Sequence, residues 1–322
     1  MSVFVTGGTG FLGKQLVKEL AKQDKVHLLA REQSDLSGLE ELANVKVFRG
    51  DLKDLDSVGA AMDSCETVFH LAALVSSWGP SWHHYSVNVK GFENVAKIAL
   101  AQKVKKFVYC SSFLALGNSD KCVSKIGDEE KLHDRKFHNP YERTKYLGLC
   151  KASEFAENGL PIVTVLPGIL YGAGELRESN YFGKWIESYK KGKTIVVPGK
   201  GDQLGCCSLI GDVVQGILLA WKKGVVKENY ILGGENVSLN QFVSAMETVG
   251  GKKARVKHIS FAVLKIGAWL SEKKGFFSGQ KPELAQHEVE IFKHNWGYNS
   301  AKAEKELGYR ITPLAKGLKK TI

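Results

Sequence analysis

No stretch of this 322-residue chain reaches the ~18–20 consecutive apolar residues that a membrane-spanning helix requires. The nearest approach, Phe261–Leu270, is interrupted by Lys265 and followed by Ser271, Glu272, Lys273 and Lys274. A helical membrane channel or transporter is thereby excluded. The six cysteines (Cys65, Cys110, Cys122, Cys150, Cys206 and Cys207) show no Cys-x-x-Cys spacing and no accompanying histidine pattern. Neither a zinc site nor a redox dithiol is expected, and no metal ligand set stands out. With no leader ahead of the first apolar strand, free thiols in an intracellular, cytoplasmic setting are the expectation. Internal repeats and low-complexity segments are absent. Arginine is scarce: Arg31, Arg49, Arg135, Arg143, Arg177, Arg255 and Arg310 are the only ones among 45 basic residues.

The net charge of +11 therefore rests mostly on lysine. It reads as a lysine-rich soluble surface ahead of an anionic membrane surface or a phosphate-bearing partner, and no nucleic-acid partner is expected. The apolar stretch 261–277 is expected to pack over a ligand site in the second half of the chain. Its alternative is an amphipathic helix lying on a membrane surface.

What is present begins at the N-terminus. Ser2-Val3-Phe4-Val5-Thr6 runs as a short strand into Gly7-Gly8-Thr9-Gly10-Phe11-Leu12-Gly13 and then a helix over about 11–22. Gly8, Gly10 and Gly13 form G-x-G-x-x-G in the strand–turn–helix setting that a dinucleotide-binding turn needs. One glycine makes the turn, a second admits a pyrophosphate, and the third lets helix and strand approach. The helix N-terminus supplies free N–H groups and positive dipole at Gly10, Phe11 and Leu12.

Further short apolar runs (Val26–Leu29, Val45–Phe48, Thr67–His70, Phe107–Cys110 and Ile162–Leu166) alternate with helical stretches such as Ser81–Ala101 and Tyr141–Asn158. The runs are nearly unbroken, as strands covered on both faces should be. The pattern predicts an α/β, Rossmann-type, doubly wound parallel sheet. After Pro167-Gly168 the rhythm breaks into a Tyr/Gly/Ser/Asn-rich stretch, 171–180, and helices near Tyr181–Lys191 and Asp212–Lys222. We expect a dinucleotide-binding portion over 1–166, with 208–235 returning to it. A smaller, non-contiguous substrate portion would comprise 167–207 and 236–322.

The second strand ends Leu29-Ala30-Arg31, without the acid that would accept from a ribose 2′-hydroxyl. Arg31 suits a 2′-phosphate instead, so NADP is expected ahead of NAD.

Tyr141-Glu142-Arg143-Thr144-Lys145 sets a tyrosine and a lysine four residues apart on one helical face. An ammonium beside the phenol, together with an oxidised nicotinamide ring, should favour the phenolate and make Tyr141 a general base. Shortly before it, a strand ends Val108-Tyr109-Cys110-Ser111-Ser112, placing a hydroxyl at the carboxyl end of the sheet where ligands bind.

Taken together, these residues resemble the extended short-chain dehydrogenases/reductases over essentially the whole chain. Gly7, Gly10 and Gly13 also fit that family's G-x-x-G-x-x-G turn. Asp51-Leu52 resembles its adenine-contacting pair, and His70-Leu71-Ala72-Ala73 its cofactor-lining signature. Asn88-Val89-Lys90-Gly91 and Asn94-Val95 match its helix motif. The resemblance implies Ser112, rather than Ser111, with Tyr141 and Lys145 as the catalytic set, and Asn88 as support for the helix or for a proton-relay water. Tyr141 and Lys145 would also contact the cofactor, as would Leu71, Ala72, Ala73 and Pro167. A homodimer formed through two helices of the first portion is implied as well.

Ser111–Gly117, Tyr141–Lys145, Pro167-Gly168-Ile169-Leu170-Tyr171-Gly172 and His294-Asn295-Trp296-Gly297-Tyr298 are similar to the dihydroflavonol-reductase-like group, and within it to plant-type farnesol dehydrogenases. The segment Cys206-Cys207-Ser208-Leu209-Ile210-Gly211-Asp212 departs from the group, with Leu209 and Gly211 where a histidine and an acid are usual. No contact is carried over there.

Trp78, Phe113, Leu114, Ile169, Tyr171 and Tyr181 are the candidate substrate contacts, and their apolar character points to a lipophilic alcohol or carbonyl. The expected reaction interconverts a farnesol-like alcohol and its aldehyde or ketone. An NADPH-dependent dihydroflavonol- or 3β-hydroxysteroid-like carbonyl reductase is the alternative. A nucleotide-sugar epimerase or dehydratase would need arginines for a pyrophosphate, and only Arg177, Arg255 and Arg310 follow Lys145. A non-catalytic NADP(H)-binding regulator would not need Ser112, Tyr141 and Lys145.

Overall fold

The structure is a computed structural model that describes residues 1–76, 78–174 and 180–322. β1 (Ser2–Thr6) enters the glycine turn and α1 (Phe11–Leu20), followed by β2 (Lys25–Ala30), β3 (Val45–Arg49), α2 (Leu55–Met62) and β4 (Thr67–His70). A continuous helical rod follows: α3 (Ser81–Tyr85), a π-helical turn at Ser86–Lys90 and α4 (Gly91–Ala101). Next come β5 (Lys106–Cys110), β6 (Ile126–Gly127), α5 (Pro140–Glu157) and β7 (Ile162–Pro167). The first-half strands fall where the apolar runs predict them. The expected single helix over 81–101 carries a widened turn in its middle, and that turn directs the buried Asn88 inward.

The second half contributes β8 (Ile169–Tyr171), α6 (Tyr181–Lys190), β9 (Thr194–Pro198), β10 (Leu204–Leu209), α7 (Ile210–Lys223) and β11 (Asn229–Leu232). These are followed by β12 (Glu235–Ser238), α8 (Leu239–Gly250), β13 (Arg255–Ile259), α9 (Phe261–Ser278) and α10 (Gln286–Ile291). The chain closes with β14 (Gly297–Tyr298), α11 (Ala301–Leu307) and α12 (Leu314–Lys319).

Seven strands form one parallel sheet in the order β11-β7-β5-β4-β1-β2-β3. Strand order reverses between β1 and β4, which opens a crevice at their carboxyl ends. One face of the sheet packs on α1 and α7 through Leu16, Val17, Val213 and Ile217, and the other on α2, α4 and α5 through Val58, Phe92, Val95 and Ala152. β3 corrects the expectation of strands covered on both faces. It is the edge strand, so Lys46 and Arg49 are exposed and none of its residues is fully buried.

β10 pairs with β8 and β12 in a separate three-stranded sheet, after which α7 and β11 rejoin the main sheet. Cys206 and Cys207 are buried in β10, and burial pushes the Cys206 thiol up to about 11. All six cysteines are free. Beyond them, Asp212 accepts from the Thr312 N–H (2.6 Å) and hydroxyl (2.8 Å), which ties α7 to the C-terminal segment. Among the described residues no helix is long and apolar enough to cross a membrane.

α9 departs from the sequence expectation. It does not cover the crevice: α10, packed against it, takes that place, and most of α9's apolar side chains face solvent.

Candidate active site

The crevice is one continuous cavity of about 980 Å³ running from the glycine turn to α6 and α10. Backbone conformation sets its first end. Gly7 has φ +73°, and a Cβ there would lie 2.5 Å from the Ala72 nitrogen, so the turn and the loop after β4 touch directly. A Cβ on Gly13 would overlap the Gly7 carbonyl. A Cβ on Gly10 would meet only the Gly7 carbonyl oxygen, at 3.2 Å, so this side of the turn is open to the cavity. Gly10 is also the N-cap of α1 and carries no capping side chain, and Phe11 and Leu12 line the cavity. An open glycine cradle at a helix N-terminus fits a pyrophosphate, and hence a dinucleotide cofactor.

Arg31, Asp51, Leu52, Leu71, Ala72, Ala73 and Pro167 line the same cavity. Arg31 lies exposed on its rim, and its carbonyl accepts from Arg49 Nη1 at 2.8 Å. Asp51 Oδ1 accepts from the Lys53 N–H at 2.9 Å. Beneath the floor, Thr6 Oγ1 and His70 Nδ1 are 2.9 Å apart. Burial and the Lys145 charge lower His70 to about 3, so it stays neutral.

α5 brings Tyr141 and Lys145 to the cavity. Asn139 caps it by accepting from the Glu142 N–H at 2.7 Å, and Pro140 starts the first turn. Lys145 Nζ donates to the Cys110 carbonyl at 3.0 Å, at the end of β5, and lies 5.7 Å from the centre of the Tyr141 ring. Burial pushes this ammonium down to about 8. Ser112 caps the short turn after β5, its Oγ accepting from the Leu114 N–H at 3.3 Å.

Burial also pushes the Tyr141 phenol well above its ordinary value, a rise the Ser112 hydroxyl opposes. Removing a phenolate from water is the largest cause.

Asn88 does not line the cavity. Its Oδ1 accepts from the Leu74 N–H at 2.6 Å and its Nδ2 donates to Thr144 Oγ1 at 2.9 Å, so it reaches the site only through those neighbours. Trp78 is also off the wall: its N–H donates to Ser76 Oγ at 3.1 Å within a local turn. Tyr171 is buried against Phe242 and Gly317 in the C-terminal core. These two are corrections to the substrate set, Trp78 held by its local turn and Tyr171 by packing partners far along the chain. Phe113, Leu114, Ile169 and Tyr181 do line the cavity, whereas Arg177 falls outside the described residues.

The wall has members that sequence reasoning missed. Phe182, Trp185, Ile291 and Phe292 extend its apolar surface. Glu288 lines it beside Tyr181, whose phenol is raised by burial and by that carboxylate. Asn180 caps α6, its Oδ1 accepting from the Gly183 N–H at 2.8 Å, while its Nδ2 and Gln203 Oε1 are buried without a partner. They offer a ligand one donor and one acceptor. The Asn-Tyr step at a helix start was the one available signal for Asn180; Gln203 gave none. At the outer wall, ligand atoms of His138, Glu290 and His294 come within 4.8 Å of one another. Lys293 (2.9 Å) and Lys265 (3.3 Å) already neutralise Glu290, which leaves a poor metal ligand.

Comparison with known proteins follows the same lines. The profile of the NAD dependent epimerase/dehydratase family matches residues 3–233. A putative dihydroflavonol 4-reductase of Synechocystis is 29% identical over 328 residues, covering 98% of this chain and 92% of the relative. Sterol demethylase protein B of Methylococcus capsulatus is 30% identical over 313 residues, covering 96% and 93%. UDP-glucuronic acid 4-epimerase of Bacillus cereus, solved with UDP-glucuronic acid and NAD, superposes with a TM-score of 0.77 at 23% identity over 99% of this chain and 96% of its own. At that identity the likeness is one of fold.

Proposed function

The chain belongs to the NAD dependent epimerase/dehydratase family, and from that premise we propose that it is an NADP-preferring oxidoreductase interconverting a lipophilic alcohol and its carbonyl compound. A farnesol-like prenyl alcohol is the first candidate. One observation carries the substrate class: among the described residues, the wall beyond Tyr141 presents Phe113, Tyr181, Phe182, Trp185, Ile291 and Phe292 and no lysine or arginine. A sugar nucleotide would bring a second pyrophosphate, and the charged group it would meet there is the Glu288 carboxylate.

The α1 N-terminus and Arg31 would hold the cofactor's phosphates, and Lys145 its ribose. When bound, the cofactor supplies or accepts the hydride at its nicotinamide ring. Ser112 Oγ donates a hydrogen bond to the substrate oxygen and fixes its distance from Tyr141. In carbonyl reduction, Tyr141 Oη gives its proton to that oxygen. In alcohol oxidation, the phenolate takes the proton back. The raised phenol keeps its proton at neutral pH, the form that carbonyl reduction uses. Lys145, lowered to about 8, remains a cation at pH 7 and stabilises the phenolate when it forms. The apolar wall orients the substrate chain and excludes water.

The test is nicotinamide absorbance with purified protein. Farnesol and geraniol are offered with NADP and NAD separately, and their aldehydes with the reduced forms. Turnover should favour the NADP pair and fall about 10²–10⁴-fold in Tyr141→Phe, while cofactor binding persists. No turnover of any prenyl substrate by a protein that binds cofactor would refute the reading and shift the search to bulky ketones and nucleotide sugars.

A further inference from the structure

The inner face of α9 is fully occupied. Ser271 Oγ accepts from the Leu284 N–H at 3.4 Å, and Glu272 accepts from the Gln286 N–H (2.8 Å) and its side-chain amide (2.6 Å). A Cβ on Gly275 would lie 2.6 Å from the Gln280 carbonyl oxygen, so the following loop lies directly on the helix. Its opposite face is apolar. Val263, Ile266, Trp269, Leu270, Phe276 and Phe277 are between 49% and 84% exposed, and their spacing puts them on two adjacent rows of one face. Single exposed apolar residues are ordinary, but six on one helix are not. A helix anchored on one side and apolar on the other calls for an apolar surface to cover the second.

We propose that the outer face of α9 docks on an anionic lipid bilayer and lies in the plane of its interface. No described helix can span a membrane, so the association is peripheral. Charge selects the occupant. Lys273 and Lys274 stand exposed between Trp269 and Phe276, and the one acid of α9, Glu272, is turned inward to Gln286. A two-fold contact with a second copy would bring the same lysines face to face, whereas anionic headgroups neutralise them. Lys273 Nζ lies 5.9 Å from the Trp269 ring centre, and Phe276 stands edge-on to Phe277, so the face carries aromatic rings beside ammonium groups as interfacial helices do. The net charge of +11 acts in the same direction. α10, which lines the cavity, packs against α9, so on the apolar-substrate reading above the docked face adjoins the cavity wall; bilayer binding itself does not depend on that reading.

The experiment floats the full chain, without substrate, on vesicles of phosphatidylcholine alone and of phosphatidylcholine with phosphatidylglycerol. Oligomeric state is measured by analytical ultracentrifugation alongside. The expected result is flotation with the anionic vesicles, weaker with the neutral ones. It should be reduced at least tenfold in the triple variant Ile266→Ser/Phe276→Ser/Phe277→Ser. Lys273→Glu/Lys274→Glu should abolish the preference for anionic lipid. Exposed positions leave folding intact, which an unchanged melting temperature and unchanged turnover of a short soluble substrate would confirm. Absence of flotation, or flotation undiminished in the triple variant, overturns the proposal. So does a dimer that the triple variant dissociates in a protein that ignores vesicles. Vesicle binding is read without turnover, so it stands or falls apart from the catalytic assignment.

Discussion

Asn88 Nδ2 donates to Thr144 Oγ1 across 2.9 Å, joining the π-helical turn to α5 one residue before Lys145. Thr144 Oγ1 in turn donates to the Tyr141 carbonyl at 3.0 Å, and Asn88 Oδ1 accepts from the Leu74 N–H at 2.6 Å. One side chain therefore fixes α5 against the cavity-lining loop after β4 without touching the cavity. Asn88→Ala should leave the half-buried Leu74 N–H without this acceptor and cost about 1 kcal/mol of stability. As a positioning residue, it should also lower kcat about tenfold with little change in KM, and Asn88→Asp, which keeps the acceptor, should recover part of the stability. Thermal melts paired with steady-state kinetics check this. A lowered melting temperature with unchanged kcat would reduce Asn88 to a stabilising role.

Lys145 makes stability depend on pH in a definite sense. Its folded value is lowered to about 8 from an ordinary 10.5. Below pH 8 both states hold the proton, and the folded state bears the whole cost of burying the cation. Between about 8 and 10.5 the unfolded chain keeps a proton that the folded one has released, so this group's contribution to stability rises with pH. Lys145→Met removes it. The stability of wild type minus that of Lys145→Met should therefore rise by roughly 2–3 kcal/mol from pH 7 to pH 10. Denaturation midpoints at the two pH values measure it, and a difference independent of pH would show that the ammonium is not desolvated.

Local chemistry made part of this legible in the sequence. Glycine spacing on a strand–helix junction, and a tyrosine four residues before a lysine, carry their geometry within a dozen residues. Gly7, Gly10, Gly13, Tyr141 and Lys145 therefore fall together in one cavity. Features set by distant packing were not legible. Tyr171 and Tyr181 look alike beside the Pro167 turn, yet Tyr171 is claimed by Phe242 and Gly317 while Tyr181 faces the cavity. Hydropathy marked α9 as something to be covered and could not say by what; the less apolar α10 reaches the cavity instead. The desolvation of Tyr141 was not legible either. Spacing shows which ion is near, but not how much water both groups lose.

The glycine turn separates folding from binding. Gly13→Ala would drive a methyl into the Gly7 carbonyl and should prevent folding or lower the melting temperature sharply. Gly10→Ala meets only the Gly7 carbonyl oxygen at 3.2 Å, so the protein should fold at a cost of about 1 kcal/mol or less. Its methyl would stand on the open side of the turn, where the backbone must let a pyrophosphate approach. Cofactor affinity should then fall at least about tenfold while the melt barely moves. Melting curves with fluorescence titration of reduced cofactor measure both. Undiminished affinity would place the pyrophosphate elsewhere.

On the proposed reading, Arg31 selects the dinucleotide. It follows β2 directly, where an acid would accept from a 2′-hydroxyl, and it lies exposed on the cavity rim with Lys53 and Ser34 also in the lining. The nearby acid, Asp51, already accepts from the Lys53 N–H at 2.9 Å. The Arg49 bond to the Arg31 carbonyl holds the backbone and leaves the guanidinium free to turn toward a phosphate. Hydrogen bonds to a charged partner contribute about 1.5–3 kcal/mol, or roughly 10–150-fold in affinity. Arg31→Ser should raise KM for NADP by about that factor and KM for NAD by less than about threefold, because only the 2′-phosphate is lost as a partner. Equal changes for both cofactors would mean that Arg31 shapes the rim without reading the phosphate. A wild type that prefers NAD, with Arg31→Ser indifferent, would assign the 2′ position to Asp51 or to the backbone after β2.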